Sequence, residues 1–192
     1  MANFINNSSI VKKKRMLEYE GLYFKESISS EKIQKEVARV AAEINADYAG
    51  GELLFICVLN GAFMYAADLM KHISLPAEIS FVRLKSYEGT ETTGKVNMLI
   101  PLQVDVKGRD VIVIEDIVDT GITMHAFMND LRNMGAKSVE LTSFLYKPES
   151  LRYEDAKPKY YGMEIPPAFI IGYGLDINEK ARNLDAIYVL SK

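Results

Sequence analysis

Short runs of apolar, β-branched residues alternate along this chain with amphipathic segments, and this alternation constrains the fold more than any other feature. The central runs are continuously apolar, which is typical of parallel strands that are covered on both faces. A strand, a helix and a further strand in succession form the βαβ pattern of α/β proteins. The sequence therefore predicts an α/β fold, with an open, mostly parallel sheet flanked by helices on both faces. The expected strands are Leu53–Leu59, Ile79–Leu84, Val96–Leu102, Val111–Asp116, Val139–Leu145, Phe169–Gly172 and Ile187–Leu190, and the expected helices are Ser30–Ala46, Ala62–Ile73 and Thr123–Met134.

The first of these helices has a clear start and a periodic apolar face. Ser29 or Ser30 is available as its N-cap. Apolar residues then recur at the spacing of one helix face, at Ile33, Val37, Val40, Ala41 and Ile44. We expect this face to pack against the sheet.

The length and charge of the chain limit its partners. A chain of 192 residues suits one domain, so we expect a single domain over residues 1–192, with residues 1–19 as a loose arm. The formal net charge is -3, which argues against binding nucleic acid through a broad basic face. The short cluster Lys12–Arg15 is interpreted as part of a solvated arm, rather than as a membrane or nucleic-acid patch. A small phosphorylated ligand needs only a local site.

Cysteine usage and hydropathy indicate the cell compartment. Cys57 is the single cysteine, so an internal disulfide and a Cys-rich zinc site are excluded. Its place in an apolar run predicts a buried thiol rather than a nucleophile. No signal peptide and no apolar stretch of about 18 residues is found. We therefore expect a cytoplasmic protein that binds no membrane.

The segment Val111–Thr123 carries the most informative pattern. Its apolar strand ends in Glu115 and Asp116, a third acid follows at Asp119, and Thr120-Gly121-Ile122-Thr123 leads into a helix. Backbone N–H groups at a helix N-terminus, with two hydroxyls and a glycine that permits close approach, form a phosphate cradle. Since carboxylates repel phosphate, we expect Glu115 and Asp116 to face vicinal sugar hydroxyls. The segment alone predicts a sugar-phosphate site.

Other interpretations of these polar segments are weaker. A strand end followed by an Asp or Thr helix cap is common, but three acids before Thr-Gly-x-Thr disfavour it. The segment Thr120–Thr123 lacks the Gly-Lys-Ser/Thr of a Walker A loop. Gly172-Tyr173-Gly174 lacks the third glycine of the dinucleotide fingerprint.

Ile114–Thr123 closely resembles the phosphoribosyl pyrophosphate (PRPP) loop of type I phosphoribosyltransferases. The wider resemblance is to the hypoxanthine (hypoxanthine-guanine) phosphoribosyltransferases and covers roughly residues 20–190. It implies the type I fold, with a small hood formed by the terminal segments. The supporting stretches are Val58–Phe63, Lys85–Tyr87, Leu145–Pro148, Ile165-Pro166, Gly172–Asp176, Asn178-Glu179 and Arg182.

The resemblance implies a purine-salvage enzyme. In the implied reaction, N9 of a 6-oxopurine displaces the pyrophosphate of PRPP and gives a nucleoside 5′-monophosphate, IMP or GMP. The cofactor is Mg²⁺, the partners are PRPP and the purine base, and the assembly is a homodimer or homotetramer.

The resemblance also implies a role for each site residue. Asp119 matches the general base near the purine N7, although capping the helix is an alternative. Lys147 matches the donor to the purine 6-oxygen, Phe169 the aromatic that stacks on the purine, and Ile170 the residue that reads its edge through the backbone. On periodicity alone, Phe169 and Ile170 are core residues.

The other end of PRPP is assigned in the same way. Leu59-Asn60-Gly61 matches the pyrophosphate-binding turn, where the family can carry a non-proline cis peptide, and Arg182 matches a pyrophosphate contact. Asp176 matches the carboxylate near the bound Mg²⁺. Many relatives have a basic residue at the position of Asn60 and a polar residue at that of Ile122. Ser86 and Tyr87 match the start of a lid within the polar loop Lys85–Lys95.

Two other functions stay open at this point. One is a PRPP-sensing regulator, which generally needs an appended DNA-binding element or a basic face. The other is a phosphoribosyltransferase for another base, against which Lys147 and the segment Phe169–Asp176 argue. The choice among hypoxanthine, guanine and xanthine is not determined by the sequence.

Overall fold

The computed structural model describes residues 16–84 and 98–191, which form two sheets and three α-helices. In chain order the elements are β1 (Met16–Tyr19), β2 (Leu22–Ile28), α1 (Ser30–Asp47), β3 (Leu53–Leu59), α2 (Phe63–His72), β4 (Ala77–Leu84), β5 (Met98–Ile100), β6 (Asp110–Val118), α3 (Ile122–Asn133), β7 (Ser138–Tyr146), β8 (Tyr160–Glu164), β9 (Ile170–Ile171) and β10 (Ile187–Leu190). Two short 3₁₀ turns, Pro148–Ser150 and Glu154–Ala156, lie between β7 and β8.

The larger sheet has six strands in the order β5-β4-β3-β6-β7-β8. All neighbouring pairs are parallel except β4 and β5, which are antiparallel. The predicted open, mostly parallel sheet is therefore confirmed. Of the strand expected over Val96–Leu102, residues 96 and 97 lie outside the described residues, and residues 98–102 contain the short edge strand β5.

Side chains of β3 explain why its sequence is apolar at every position. Successive residues of a strand point to opposite faces of the sheet. Leu53, Phe55 and Cys57 pack with buried residues of α1 and α2, whereas Leu54, Ile56 and Val58 pack with buried residues of α3. The predicted buried thiol is confirmed, since Cys57 is fully buried. Burial and the nearby acids Glu115 and Asp116 raise the pKa of Cys57 to about 12.

Helix α1 begins as the sequence predicts. The Ser29 hydroxyl accepts a hydrogen bond from the backbone N–H of Lys32 at 3.3 Å, so Ser29 is the N-cap. The five apolar residues of the predicted face are all fully buried: Ile33, Val37, Val40, Ala41 and Ile44.

The smaller sheet joins the two ends of the described chain. Its four strands are antiparallel in the order β1-β2-β10-β9, and this arrangement confirms the hood expected from terminal segments. Residues 16–19, expected in a loose arm, instead form β1, because they pair with β2. Strands β2 and β8 were not predicted, because their apolar residues are interrupted by charged residues and by Gly162. The described helices include none with the length and apolar character needed to cross a bilayer.

Candidate functional site

A cavity of about 220 Å³ lies where β3, β4 and β6 end. Ligands of open α/β sheets bind at the carboxyl ends of the strands, so this is the expected position for a site. Seven residues line the cavity: Val58, Leu59, Gly61, Leu84, Glu115, Asp116 and Thr123. Five of them belong to the predicted ribose, phosphate and pyrophosphate sites, which the fold therefore brings together.

Glu115 lies in β6 with an unpaired acceptor. Its Oε2 atom is buried and has no hydrogen-bond partner among the described residues. Burial, assisted by the charge of Asp116, raises the pKa of Glu115 well above its ordinary value. A buried acceptor without a partner is rare in native proteins, so it is a candidate contact for a ligand hydroxyl.

Asp116 is the second acid of this pair. Its Oδ1 atom accepts a hydrogen bond from the backbone N–H of Ile117 at 2.7 Å. Burial raises the pKa of Asp116 to about 6, although the Ile117 N–H and the charge of Arg182 oppose this shift. The charges of Arg182 and Asp176 both act on Asp116, so the segment that carries them borders the same site.

Replacing Glu115 with glutamine is expected to stabilise the protein at pH 8 by about 1 kcal/mol, because the native protein must either take up a proton at Glu115 or bury its charge on folding, and glutamine requires neither. The raised pKa means that the folded state holds a proton that the unfolded chain releases. The free energy of unfolding of the native sequence therefore falls as the pH rises above the ordinary pKa of the group. Urea denaturation at pH 5 and pH 8 measures this effect.

The exposed Glu18 on β1 supplies the control for this experiment. Glu18→Gln should leave the free energy of unfolding unchanged at both pH values. A Glu115→Gln protein that is no more stable than the native protein at pH 8 contradicts the prediction.

The turn Leu59-Asn60-Gly61 follows β3 and contains a cis peptide bond between Leu59 and Asn60. A Cβ atom on Gly61 would lie 1.6 Å from Asp116 Oδ2, so only glycine permits this approach. A Cβ atom on Gly174 would lie 1.9 Å from the Gly61 carbonyl oxygen. Two glycines thus allow three separate segments of the chain to meet at the cavity.

The predicted phosphate loop, residues 120–123, leads directly into α3. The helix begins at Ile122, one residue earlier than predicted, and Gly121 precedes it with φ 74°. The N-cap residue Gly121 supplies no side-chain hydrogen bond, and the Ile122 N–H donates a long hydrogen bond of 3.5 Å to Thr120 Oγ1. Thr123 lines the cavity. This leaves backbone N–H groups of the first turn available to an anion, as the cradle hypothesis requires.

Asp119, which follows β6, forms an ion pair with Lys147, which follows the neighbouring strand β7, and does not cap a helix. Its Oδ2 atom accepts a hydrogen bond from Lys147 Nζ at 2.7 Å, so the capping alternative is wrong. Lys147 follows β7 and is only 9% exposed, unlike an ordinary solvated lysine at a strand end. Burial alone would raise the pKa of Asp119, but hydrogen bonds from Lys147 and Ser150 hold it below its ordinary value.

Phe169 and Ile170 lie in the hood, outside the lining of the cavity. Phe169 is 48% exposed, with its ring centroid 6.0 Å from that of Phe24, so it is not the core residue that periodicity predicts. Ile170 is partly buried in β9. Phe169 therefore keeps a free aromatic surface.

Asp176 and Arg182 lie together in the segment after β9. Asp176 Oδ1 is 2.8 Å from a terminal nitrogen of Arg182, and Asp176 Oδ2 accepts a hydrogen bond from the Glu179 backbone N–H at 2.8 Å. Within residues 16–84 and 98–191, no group of three or more His, Cys, Asp or Glu side chains could hold a metal ion alone. Mg²⁺ usually takes one or two carboxylates and completes its shell with water and phosphate oxygens. Asp176 thus fits a Mg²⁺ that the substrate helps to hold.

The sequence does not predict two features of the site, and one predicted part of the site lies outside the described residues. Gly174 belongs to the stretch Gly172–Asp176 that carries the family resemblance, but the sequence assigns it no role, and its close contact with Gly61 has no local sequence signal. Glu179 was part of the family resemblance but was given no role, although it contacts Arg182. The lid residues Ser86 and Tyr87 lie outside the described residues.

Comparisons with known proteins agree with this geometry. Residues 26–178 match the family described as phosphoribosyl transferase domain. The chain is 42% identical to hypoxanthine-guanine phosphoribosyltransferase of Bacillus subtilis over 164 residues, which cover 85% of this chain and 91% of the relative. It is 35% identical to hypoxanthine-guanine-xanthine phosphoribosyltransferase of Tritrichomonas foetus over 160 residues, 83% of this chain and 87% of the relative.

Solved structures give the same result for the fold. A hypoxanthine-guanine phosphoribosyltransferase of Bacillus anthracis superposes with a TM-score of 0.81 at 40% identity, over 87% of this chain and 96% of that chain. A hypoxanthine phosphoribosyltransferase of Staphylococcus aureus gives a TM-score of 0.82 at 35% identity, over 86% and 90% of the two chains. The chain therefore belongs to the phosphoribosyltransferase family, and within it to the hypoxanthine-guanine phosphoribosyltransferases.

Proposed function

We propose that this protein is a purine-salvage enzyme that transfers the 5-phosphoribosyl group of PRPP to N9 of a 6-oxopurine. The observation that carries the proposal is the adjacent pair Glu115 and Asp116 in a cavity beside the uncapped start of α3. Carboxylates accept hydrogen bonds from vicinal hydroxyls, and a helix N-terminus binds phosphate. A ribose 5-phosphate carries both vicinal hydroxyls and a phosphate, so it matches both parts of this segment.

The site offers a protein group for each part of the ribose phosphate. Glu115 and Asp116 would accept from its hydroxyls, which supplies the hydrogen bond that Glu115 Oε2 otherwise lacks. Backbone N–H groups of residues 120–123 and the hydroxyls of Thr120 and Thr123 would hold the 5-phosphate. The apolar Ile122 does not weaken this cradle, because the backbone supplies most of its donors.

Asp119 and Lys147 would serve the purine. The Lys147 ammonium would shift from Asp119 toward the 6-oxygen of the base, which relieves the contact that lowers the Asp119 pKa. Asp119 becomes a stronger base when this ammonium moves away, and it can then accept the proton from N7 of the purine. Adenine carries a donor at the 6-position, so it would leave Lys147 without an acceptor. The exposed ring of Phe169 would stack on the base.

The leaving pyrophosphate would meet the turn Leu59-Asn60-Gly61 and Arg182. Asp176 would contribute a carboxylate oxygen to the Mg²⁺ of the substrate complex. When bound, this ion neutralises negative charge on the departing pyrophosphate. The reaction passes through a state with positive charge at the ribose carbon, so this chain contributes mainly by positioning the two substrates.

A panel of purines tests the proposal. Purified protein with PRPP and Mg²⁺ is expected to form a nucleotide from hypoxanthine and to form at least about 10²-fold less from adenine. Guanine and xanthine belong in the same panel, since guanine appears in the names of both relatives given above and xanthine in the name of one. Absence of nucleotide product with every 6-oxopurine would contradict the proposal and favour the PRPP-sensing regulator.

Assembly as a homodimer or homotetramer and a cytoplasmic location stay predictions. The exposed side chains of Phe81, Leu99 and Ile100 on the neighbouring strands β4 and β5 are compatible with subunit contacts.

A further inference from the structure

Arg182, the cation predicted to contact pyrophosphate, is held by partners within the chain. One terminal nitrogen lies 2.8 Å from Asp176 Oδ1 and 2.8 Å from Glu179 Oε2. Nε donates to Glu179 Oε2 at 3.2 Å, and the other terminal nitrogen donates to the Gly174 carbonyl at 2.8 Å. These contacts engage every guanidinium nitrogen, and an anion that approaches Arg182 from the side of Glu179 must displace the Glu179 carboxylate.

The two carboxylates around Arg182 differ in how firmly they are held. Asp176 is 31% exposed, and its second oxygen is fixed by a backbone N–H. The Glu179 side chain is 65% exposed, and the proposed reaction has no other use for it. Glu179 can turn into water at little cost, so it is the partner that an anion would displace.

Glu179 also lies close to the other half of the predicted pyrophosphate site. Arg182 lowers the pKa of Glu179, and the Asn60 side chain adds a smaller effect in the same direction as a hydrogen-bond donor. The Glu179 carboxylate thus contacts a cation and approaches an amide that are both predicted to face pyrophosphate. The Glu179 carboxylate therefore lies beside Arg182 at the position that we predict for a pyrophosphate oxygen of the substrate.

We propose that Glu179 is an internal competitor of pyrophosphate for Arg182 and so limits the affinity of the site for PRPP and for the pyrophosphate product. This inference rests on the proposed function. An exposed ion pair is weak, so the competition reduces affinity only modestly, by about two- to fivefold. Because Glu179 competes in this way, pyrophosphate dissociates readily, while Asp176 and the Gly174 carbonyl keep Arg182 oriented.

The test replaces Glu179 with glutamine, which keeps the size of the side chain and removes its charge. We expect the KM for PRPP to fall about two- to fivefold. The Kd of inorganic pyrophosphate, measured by calorimetry in the presence of Mg²⁺, is expected to fall by the same factor. A positioning role for Glu179 predicts the opposite, because loss of an orienting contact would raise both values.

Glu36 provides a matched control, since it pairs with Arg39 at 2.8 Å in an i,i+3 ion pair whose arginine also contacts a second acid, Glu43. Glu36→Gln should leave both constants unchanged. Unchanged or raised constants in Glu179→Gln overturn the inference while the native protein still forms nucleotide. A native protein that forms no nucleotide contradicts the proposed function instead, so the two failures are distinguishable.

Discussion

Replacing Asp119 with asparagine is expected to lower kcat by about 10²-fold or more, with little change in the KM for PRPP. The amide of asparagine can still accept the hydrogen bond from Lys147, but it cannot take a proton from the purine. The change therefore separates proton transfer from the geometry of the 2.7 Å contact between residues 119 and 147. Steady-state kinetics with hypoxanthine and saturating PRPP measure this effect.

Asp110 offers a control of the same chemistry at the opposite end of β6. Its carboxylate also accepts from a lysine, Lys137, at 2.7 Å, and from a serine, Ser138, at 2.6 Å. Asp110→Asn should weaken stability slightly and leave kcat within about twofold of the native value. A near-normal kcat in Asp119→Asn removes Asp119 from the mechanism.

Replacing Gly174 with alanine is expected to lower the free energy of unfolding by about 2–5 kcal/mol, and to raise the KM for PRPP at least about tenfold. The new Cβ atom would lie 1.9 Å from the Gly61 carbonyl, at a residue whose φ is 95°. Backbone must move to relieve this contact, and the turn at Gly61 lines the cavity. Urea denaturation and steady-state kinetics give the two values.

Gly50 separates the packing effect from the conformational effect. It has a similar φ of 80°, but a Cβ atom at this position would meet no atom within 4 Å beyond its chain neighbours. Gly50→Ala should therefore cost only about 1–2 kcal/mol and leave the KM unchanged. If the two alanine variants behave alike, the contact between Gly174 and Gly61 has no special importance for the site.

Much of the fold could be predicted because its signals are local. Helix α1 was found from Ser29 and a buried face of five apolar residues, and the parallel strands from their continuous apolar runs. Strand β8 and the hairpin of β1 and β2 were missed. The hood position of β1 and β2 leaves many of their side chains exposed, so charged residues interrupt the apolar pattern, whereas Gly162 interrupts the short run of β8.

The candidate site was predictable only in part. Glu115, Asp116 and residues 120–123 are contiguous, so one short segment was enough to indicate a sugar phosphate. Lys147 could be assigned only through resemblance, because nothing near it in the sequence predicts its burial or its pairing with Asp119. Phe169 shows the reverse error, since its apolar neighbours predict a core residue whereas the hood leaves it 48% exposed.

The α/β architecture, the order of β6 and α3, and the predicted sugar-phosphate chemistry of the loop between them could all be derived from the sequence alone. These properties depend on side-chain periodicity and on residues close together in the chain. Three contacts of the site follow from the tertiary structure alone: Gly61 lies against Asp116 and Gly174, Lys147 pairs with Asp119, and Glu179 pairs with Arg182. The contacts of Gly61 and of Lys147 join segments far apart in the chain, and the contact of Glu179 with Arg182 depends on how a local turn folds. Packing, rather than local pattern, sets the burial that shifts the pKa values of the acids.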